Sequence, residues 1–226
     1  DTGPQDLAFR PNGKKMFVVG TQNSNVYEYS LGTAWTISSA TFQTSYNVGS
    51  QDSSPTGIDF KSDGSKMFIS GGANTTIYEY SLGSNWDISS GVSFTTSTSI
   101  GNRVGNLTGL EFKDDGAKVF FSDASNNKIY DYSLNDAWNL SSGLSFNTSY
   151  DVSGQGGNPS GVNFKNDGTR MYTPSYDFPS PQTIHQYSVS GPGGGLDVGE
   201  TATTSKKKKK NSIDQLLSSD PNEEGV

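Results

Sequence analysis

The sequence predicts an all-β protein, a β-propeller of four-stranded blades with a period of about 52 residues: three complete repeats, one incomplete repeat and a disordered C-terminal tail. Three observations carry that expectation. The phrase PQDLAFRPNGKKMFVVG from Pro4 recurs as PTGIDFKSDGSKMFISG from Pro55, LTGLEFKDDGAKVFFSD from Leu107 and PSGVNFKNDGTRMYTPS from Pro159. Phe9, Phe60, Phe112 and Phe164 fall at steps of 51, 52 and 52 residues, and VYEYSL, IYEYSL, IYDYSL and IHQYSV follow in the same register. Trp35, Trp86 and Trp138 close the first three copies. A period near fifty that holds several short strands is the signature of a propeller blade.

Within the unit from Pro55, residues 57–60 read as a first strand and 66–70 as a second, joined by SDG. Asp and Gly tolerate the left-handed backbone that a tight hairpin needs, and PNG, DDG and NDG keep that chemistry in the other units. Residues 76–81 alternate Tyr78 and Tyr80 with Ile77 and Glu79, a third strand. A loop with Trp86 leads to a fourth near residues 93–98. Runs such as MFVVG and VFFSD are apolar on both faces, as expected of sheets sandwiched between neighbours. The repeated Phe residues, with Met16, Met67 and Met171, are therefore expected between blades, and the tryptophans are expected to pack a loop on the next blade rather than bind ligand.

Bulk composition narrows the function classes. The chain has 226 residues, a formal charge of −7 and no cysteine. The acidity argues against nucleic acid as partner of the propeller, and the missing cysteines remove disulfides, thiolate metal sites and cysteine nucleophiles. No apolar run reaches the length of a membrane span. The one histidine, His185, stands where Tyr27, Tyr78 and Tyr130 stand in the other units, so it reads as a strand residue. Asp1 falls inside an inter-blade loop, and the fourth unit stops at IHQYSVS without a tryptophan loop or a fourth strand. The expectation is a molecule with more blades, against a four-bladed ring with one ragged blade. Two segments follow, blades over 1–190 and a flexible low-complexity tail over 191–226.

The pattern P-x-G-[ILV]-x-F-[KR]-x-[DN]-G-x-[KR]-[MV]-[FY], followed by I-Y-[ED]-Y-S-L, resembles YVTN and NHL-type propeller repeats. It is most similar to tandem "AWDIS" repeats of marine bacterial and phage-associated surface or structural proteins. That resemblance implies the fold and an extracellular, cell-surface or virion location; it leaves the role open, because propellers host unrelated functions.

Three functional readings stay open. In the first, the chain is a non-enzymatic binding or assembly module whose polar loop rim meets a protein or glycan surface, through Asn74, Arg103, Asp123, Asn126, Asn127, Tyr176 and Phe178. In the second it is a propeller hydrolase of lactonase type, with Asp59 and Glu111, on the innermost strands beside the axis, holding a calcium ion; otherwise no cofactor is expected. In the third it is a scaffold whose tail docks a partner through Lys206 to Lys210, or through a short apolar face of Ile213, Leu216 and Leu217.

Overall fold

The computed structural model describes residues 3–154, 156–165, 167–176 and 183–189, together with the backbone of 199–203. It is a four-bladed β-propeller in which each blade is a four-stranded antiparallel sheet of consecutive strands. Blade 1 comprises β1 (Pro4–Phe9), β2 (Lys15–Gly20), β3 (Asn25–Leu31) and β4 (Ala40–Asn47). Blade 2 comprises β5 (Pro55–Phe60), β6 (Lys66–Gly71), β7 (Thr76–Ser81) and β8 (Ser93–Ser99). Blade 3 is β9 (Leu107–Phe112), β10 (Lys118–Asp123), β11 (Lys128–Asp136) and β12 (Asn139–Asp151); blade 4 is β13 (Asn163–Phe164), β14 (Arg170–Ser175), β15 (Thr183–Ser188) and β16 (Gly199–Thr203). The first strands of blades 1, 2 and 3 pack side by side.

Two kinds of glycine explain the repeated phrase. Gly64 and Gly116 take φ of 76° and 71° in the first hairpin of their blades, a conformation that costs other residues energy. Trp86 and Trp138 lie flat on them: a Cβ on either glycine would stand 2.1 Å or 2.2 Å from the indole. Each tryptophan is itself at positive φ, held there by its N–H donating to the carbonyl of that same glycine. Gly57 and Gly109 serve a different need, since a Cβ on either would come within 3.0 Å of the Cα of Gly109 or Gly161 in the next blade. At these two junctions the inner strands approach closely enough that a side chain would crowd the neighbouring backbone.

The core lies between blades rather than within them. Phe17, Phe68 and Phe120 each meet the repeated Phe of the following blade, Phe60, Phe112 and Phe164, at 4.5, 4.2 and 4.4 Å between ring centroids. Trp86 and Trp138 stack on Phe60 and Phe112 at 5.1 Å, which completes a three-ring sandwich with the preceding blade. Burial of such rings dominates core energetics. Met16, Met67 and Met171 are buried as expected.

A polar latch frames each sandwich. Lys66 pairs with the buried Glu79 at 2.6 Å and donates a second hydrogen bond to the Trp138 carbonyl at 2.7 Å. The other Glu79 oxygen accepts the Leu140 N–H at 2.8 Å. Lys15 and Glu28 repeat this on Trp86 and Ile88 of blade 2, while Lys118 and Asp131 form the pair at 2.9 Å in blade 3.

Two sequence expectations need correction. The fourth unit does acquire a fourth strand: Gly199–Thr203, read as tail, pairs antiparallel with Thr183–Ser188. The free edge of β15 offers unpaired N–H and C=O groups, and GETAT is a short run able to satisfy them. Trp35, expected to be packed between blades, touches Phe9 at 5.2 Å but is largely exposed, because none of the described blades packs against that face of blade 1. Lys206 to Lys210 and the 211–219 segment lie outside the described residues.

Removing one end of a latch leaves a buried charge and a buried N–H unpaired, so Glu79→Leu is expected to cost about 3–5 kcal/mol in urea unfolding. Lys113→Ala breaks an exposed pair with Asp115 and is expected to cost no more than about 1 kcal/mol. Equal small losses in both variants would contradict the latch.

Candidate functional site

Two clusters of acidic side chains present themselves, one beside the axis and one under the loop rim. The axial cluster comes from the first strands. Asp59 donates nothing and accepts twice: Oδ1 takes the Phe60 N–H at 2.7 Å and Oδ2 takes the Phe112 N–H of blade 3 at 2.8 Å. Glu111 repeats the gesture one blade on, its Oε2 accepting the Phe164 N–H at 2.9 Å. Blade 1 carries Ala8 at this place, and Asp6, two residues earlier, reaches the Ile58 N–H at 3.0 Å instead. Sequence reading missed Asp6 because it occupies the slot that is glycine in the other three units.

Burial shifts this column upward. Asp59 rises to about 7 and Asp6 to about 6, each chiefly through lost hydration and against the pull of the N–H bonds. Glu111 rises to about 9, first through burial and then through the negative charge of Asp59. Between them, Asp59 and Glu111 have three of their four carboxyl oxygens bonded to backbone N–H groups. Among the described residues no three His, Cys, Asp or Glu side chains gather in a way that would hold a metal.

The rim is organised by two buried carboxylates that arrive from different places in the repeat. In blade 3, Asp123 ends β10 and is fully buried. It accepts N–H groups from Gly105, Asn106, Ser125 and Asn126 and the Asn126 amide at 2.6 Å. In blade 2 the same position is Gly71, and the Asp52 carboxylate fills the vacated space, 2.1 Å from where a Gly71 Cβ would stand. Asp52 accepts from Ser54, Ala73 and Asn74 and from the Tyr78 hydroxyl. Blade 3 has Val104 in the Asp52 slot, so blades 2 and 3 each keep one carboxylate but draw it from different positions of the repeat. Blade 4 has Ser175 there, bonded to His185 Nε2 at 3.1 Å.

These positions sort the predicted rim residues. Asp123 is a correction: a buried hub with every lone pair directed at its own loops is unavailable to a ligand. Asn74 and Asn126 are exposed at the loop tips, with side-chain amides reaching the carbonyls of Gln51 and Arg103. Arg103 lies over the Phe146 ring, 4.2 Å from its centroid, a cation–π contact that leaves the guanidinium accessible. Asn127, at φ 52°, accepts the Asn158 N–H and ties blade 3 to blade 4. Tyr176 is exposed, and Phe178 lies outside the described residues. Arg103, Asn126 and Asn127 share one blade's rim, Asn74 sits on the neighbouring blade, and Tyr176 belongs to blade 4.

Sequence reading also passed over Phe42, Phe94 and Phe146, exposed in register on the outer strands β4, β8 and β12, each edge-on to a tyrosine of the strand beside it. Their common place in TFQTS, SFTTS and SFNTS was the available signal.

No family model and no curated protein matches the sequence. Solved structures match the fold. A putative 6-phosphogluconolactonase from Bacteroides uniformis aligns at TM-score 0.59 and 13% identity over 88% of this chain and 56% of that one. A periplasmic gluconolactonase from Pseudomonas aeruginosa gives 0.55 and 14%, over 88% and 53%, and a chain of the mitotic checkpoint complex 0.55 and 12%, over 83% and 51%. The chain thus spans about half the length of the structures it resembles, and at such identity the likeness shows the propeller fold alone. No helix among the described residues is long and apolar enough to cross a membrane.

The axial shifts set a pH dependence. Unfolded Glu111 ionises near 4.5 while the folded residue holds its proton to about 9. Through that window the native state binds more protons, so its stability falls as pH rises. The melting temperature is expected to decline between about pH 5 and pH 9, and Glu111→Gln is expected to flatten the decline. A variant with the same slope as the native chain would exclude Glu111 as its source.

Proposed function

We propose that the chain is a non-enzymatic binding or assembly module that presents the rim of blades 2 and 3 to a polar protein or glycan surface. One observation carries this reading. The rim loops are fixed from beneath by the buried Asp52 and Asp123, while their tips expose Asn74, Arg103 and Asn126. A surface whose loops are ordered before contact loses less entropy on binding. Planar amides and a guanidinium held flat on an aromatic ring suit hydroxyls, carboxylates and peptide groups. The repeat resemblance supports a setting outside the cell, on its surface or on a virion.

A second reading, a lactonase-type hydrolase, draws on Asp59 and Glu111, neighbouring carboxyls on adjacent inner strands whose pKa values are raised to about 7 and about 9. The names of two fold neighbours, a putative 6-phosphogluconolactonase and a gluconolactonase, give it a substrate class to try. Scaffolding through the lysine-rich tail rests on residues outside those described.

A glycan array and an assay of gluconolactone hydrolysis separate the readings. Binding is expected to fall at least about tenfold in Arg103→Ala, whose exposed cation–π contact with Phe146 is worth only about 0.5–1 kcal/mol of stability. Binding that survives this substitution removes the rim assignment. Lactone hydrolysis abolished by Glu111→Gln would replace this proposal with the hydrolase.

A further inference from the structure

The first hairpin of blades 1, 2 and 3 is roofed by an indole, Trp35 on Gly13, Trp86 on Gly64 and Trp138 on Gly116. In blade 4 the roof is missing. Gly168 keeps the same turn at φ 69°, yet among the described residues nothing stands within 4 Å of where its Cβ would lie. Four residues on from Leu82, Leu134 and Val189 come Trp86, Trp138 and Gly193, so blade 4 has the glycine without the ring. In its place a cavity of about 170 Å³ opens between blades 3 and 4, walled by Phe120, Phe164, Gly168 and Val189 and reaching Glu111. Roughly 150 Å³ of apolar space is enough to hold a benzene ring. Phe164 and Val189 remain part-exposed, whereas their counterparts Phe60, Phe112, Leu82 and Leu134 are buried.

We propose that this internal junction is a binding site for a tryptophan residue, an indole flanked by an amide N–H and C=O. Each of those three groups has a partner at the filled junctions, and each partner is present here. The indoles of Trp86 and Trp138 stack on Phe60 and Phe112 at 5.1 Å; Phe164 offers the same ring, backed by Phe120 at 4.4 Å. The tryptophan N–H groups donate to the carbonyls of Gly64 and Gly116; among the described residues nothing donates to the Gly168 carbonyl. The tryptophan carbonyls accept from Lys15 and Lys66; Lys118 holds only Asp131, at 2.9 Å, among the described residues. Apolar walls with a few convergent polar groups are what a small-ligand site requires. Recognition ends at that carbonyl, because Asp131 is one methylene shorter than Glu28 and Glu79 and its other oxygen already takes the Asn147 amide at 2.9 Å. The slot therefore reads one residue rather than a whole loop. The assignment is of the group taken, and holds whether a small indole amide or a polypeptide segment carries it. The first hairpins lie at the rim opposite Asn74, Arg103 and Asn126, so this site stands apart from the function proposed above.

Two probes distinguish the carriers: N-acetyl-L-tryptophanamide, and a capped peptide SNWDIS that copies residues 84–89. Titrated into the full isotope-labelled chain, each is expected to move the amide resonances of Gly168 and Val189 saturably, with a Kd on the order of 0.1–1 mM for the amide. The resonances of Gly64 and Gly116, already covered, are expected to stay in place. Gly168→Asn keeps a residue that tolerates the left-handed backbone but fills the space over the turn, and is expected to weaken binding at least about tenfold. Phe164→Leu removes the stacking ring and is expected to weaken it about fivefold. Unmoved Gly64 and Gly116 resonances report that either variant folds. A peptide at least about fivefold tighter than the amide assigns a polypeptide carrier, and equal affinities assign a small indole amide. Gly168 and Val189 resonances that do not respond to about 5 mM of either probe overturn the proposal. So does binding that both substitutions leave unchanged.

Discussion

The structure depends on one directional contact: an acid on the third strand of a blade accepts a backbone N–H from the tryptophan loop of the next, while its lysine partner binds the tryptophan carbonyl. Glu28 with Lys15 and Glu79 with Lys66 do this in full. An irregular loop buried between two sheets cannot leave its polar backbone groups unmet. The latch meets them from the neighbouring blade, and so fixes the tryptophan at positive φ over its glycine and completes the ring sandwich. Buried ion pairs add little stability over apolar packing of equal volume. Their value here is positional, since each latch is correct for one neighbour on one side.

That directionality assigns most of the acidic side chains. Asp6, Asp59 and Glu111 point to the backbone of the following blade, and Asp52 and Asp123 point to loops. Groups that look like chemistry in a sequence are here spent on backbone donors. What remains outward is less conspicuous: amides at loop tips, an arginine resting on phenylalanine, and a row of outer-strand phenylalanines.

The sequence made the fold legible because each blade repeats at fixed spacing, so strand boundaries, the Asp-Gly hairpins and the inter-blade aromatics came from register alone. Trp35 could not be placed that way: identical residues at identical repeat positions differ in burial when the neighbour differs. Asp123 misled for a related reason. An aspartate in a loop rich in Asn and Ser reads as a ligand contact, and only the coordinates show that Gly71 and Asp52 jointly occupy the equivalent space in blade 2. The fourth strand of blade 4 was hidden because GETAT matches no repeat phrase; a bare strand edge selects its partner by backbone bonding more than by side chains. The axial cluster was half legible, with Asp59 and Glu111 found by alignment and Asp6 lost to a two-residue shift.

Native-state hydrogen exchange at the Ile88 and Leu140 amides tests the latch most directly. Ile88 lies in a loop and Leu140 is the second residue of β12, places where amides ordinarily exchange through local fluctuation or end fraying. If the acids of the preceding blades hold them, they exchange as slowly as the central-strand amides of β6 and β10. Exchange at the rate of exposed loop amides such as Ser89 would show that the blades are joined by ring packing alone.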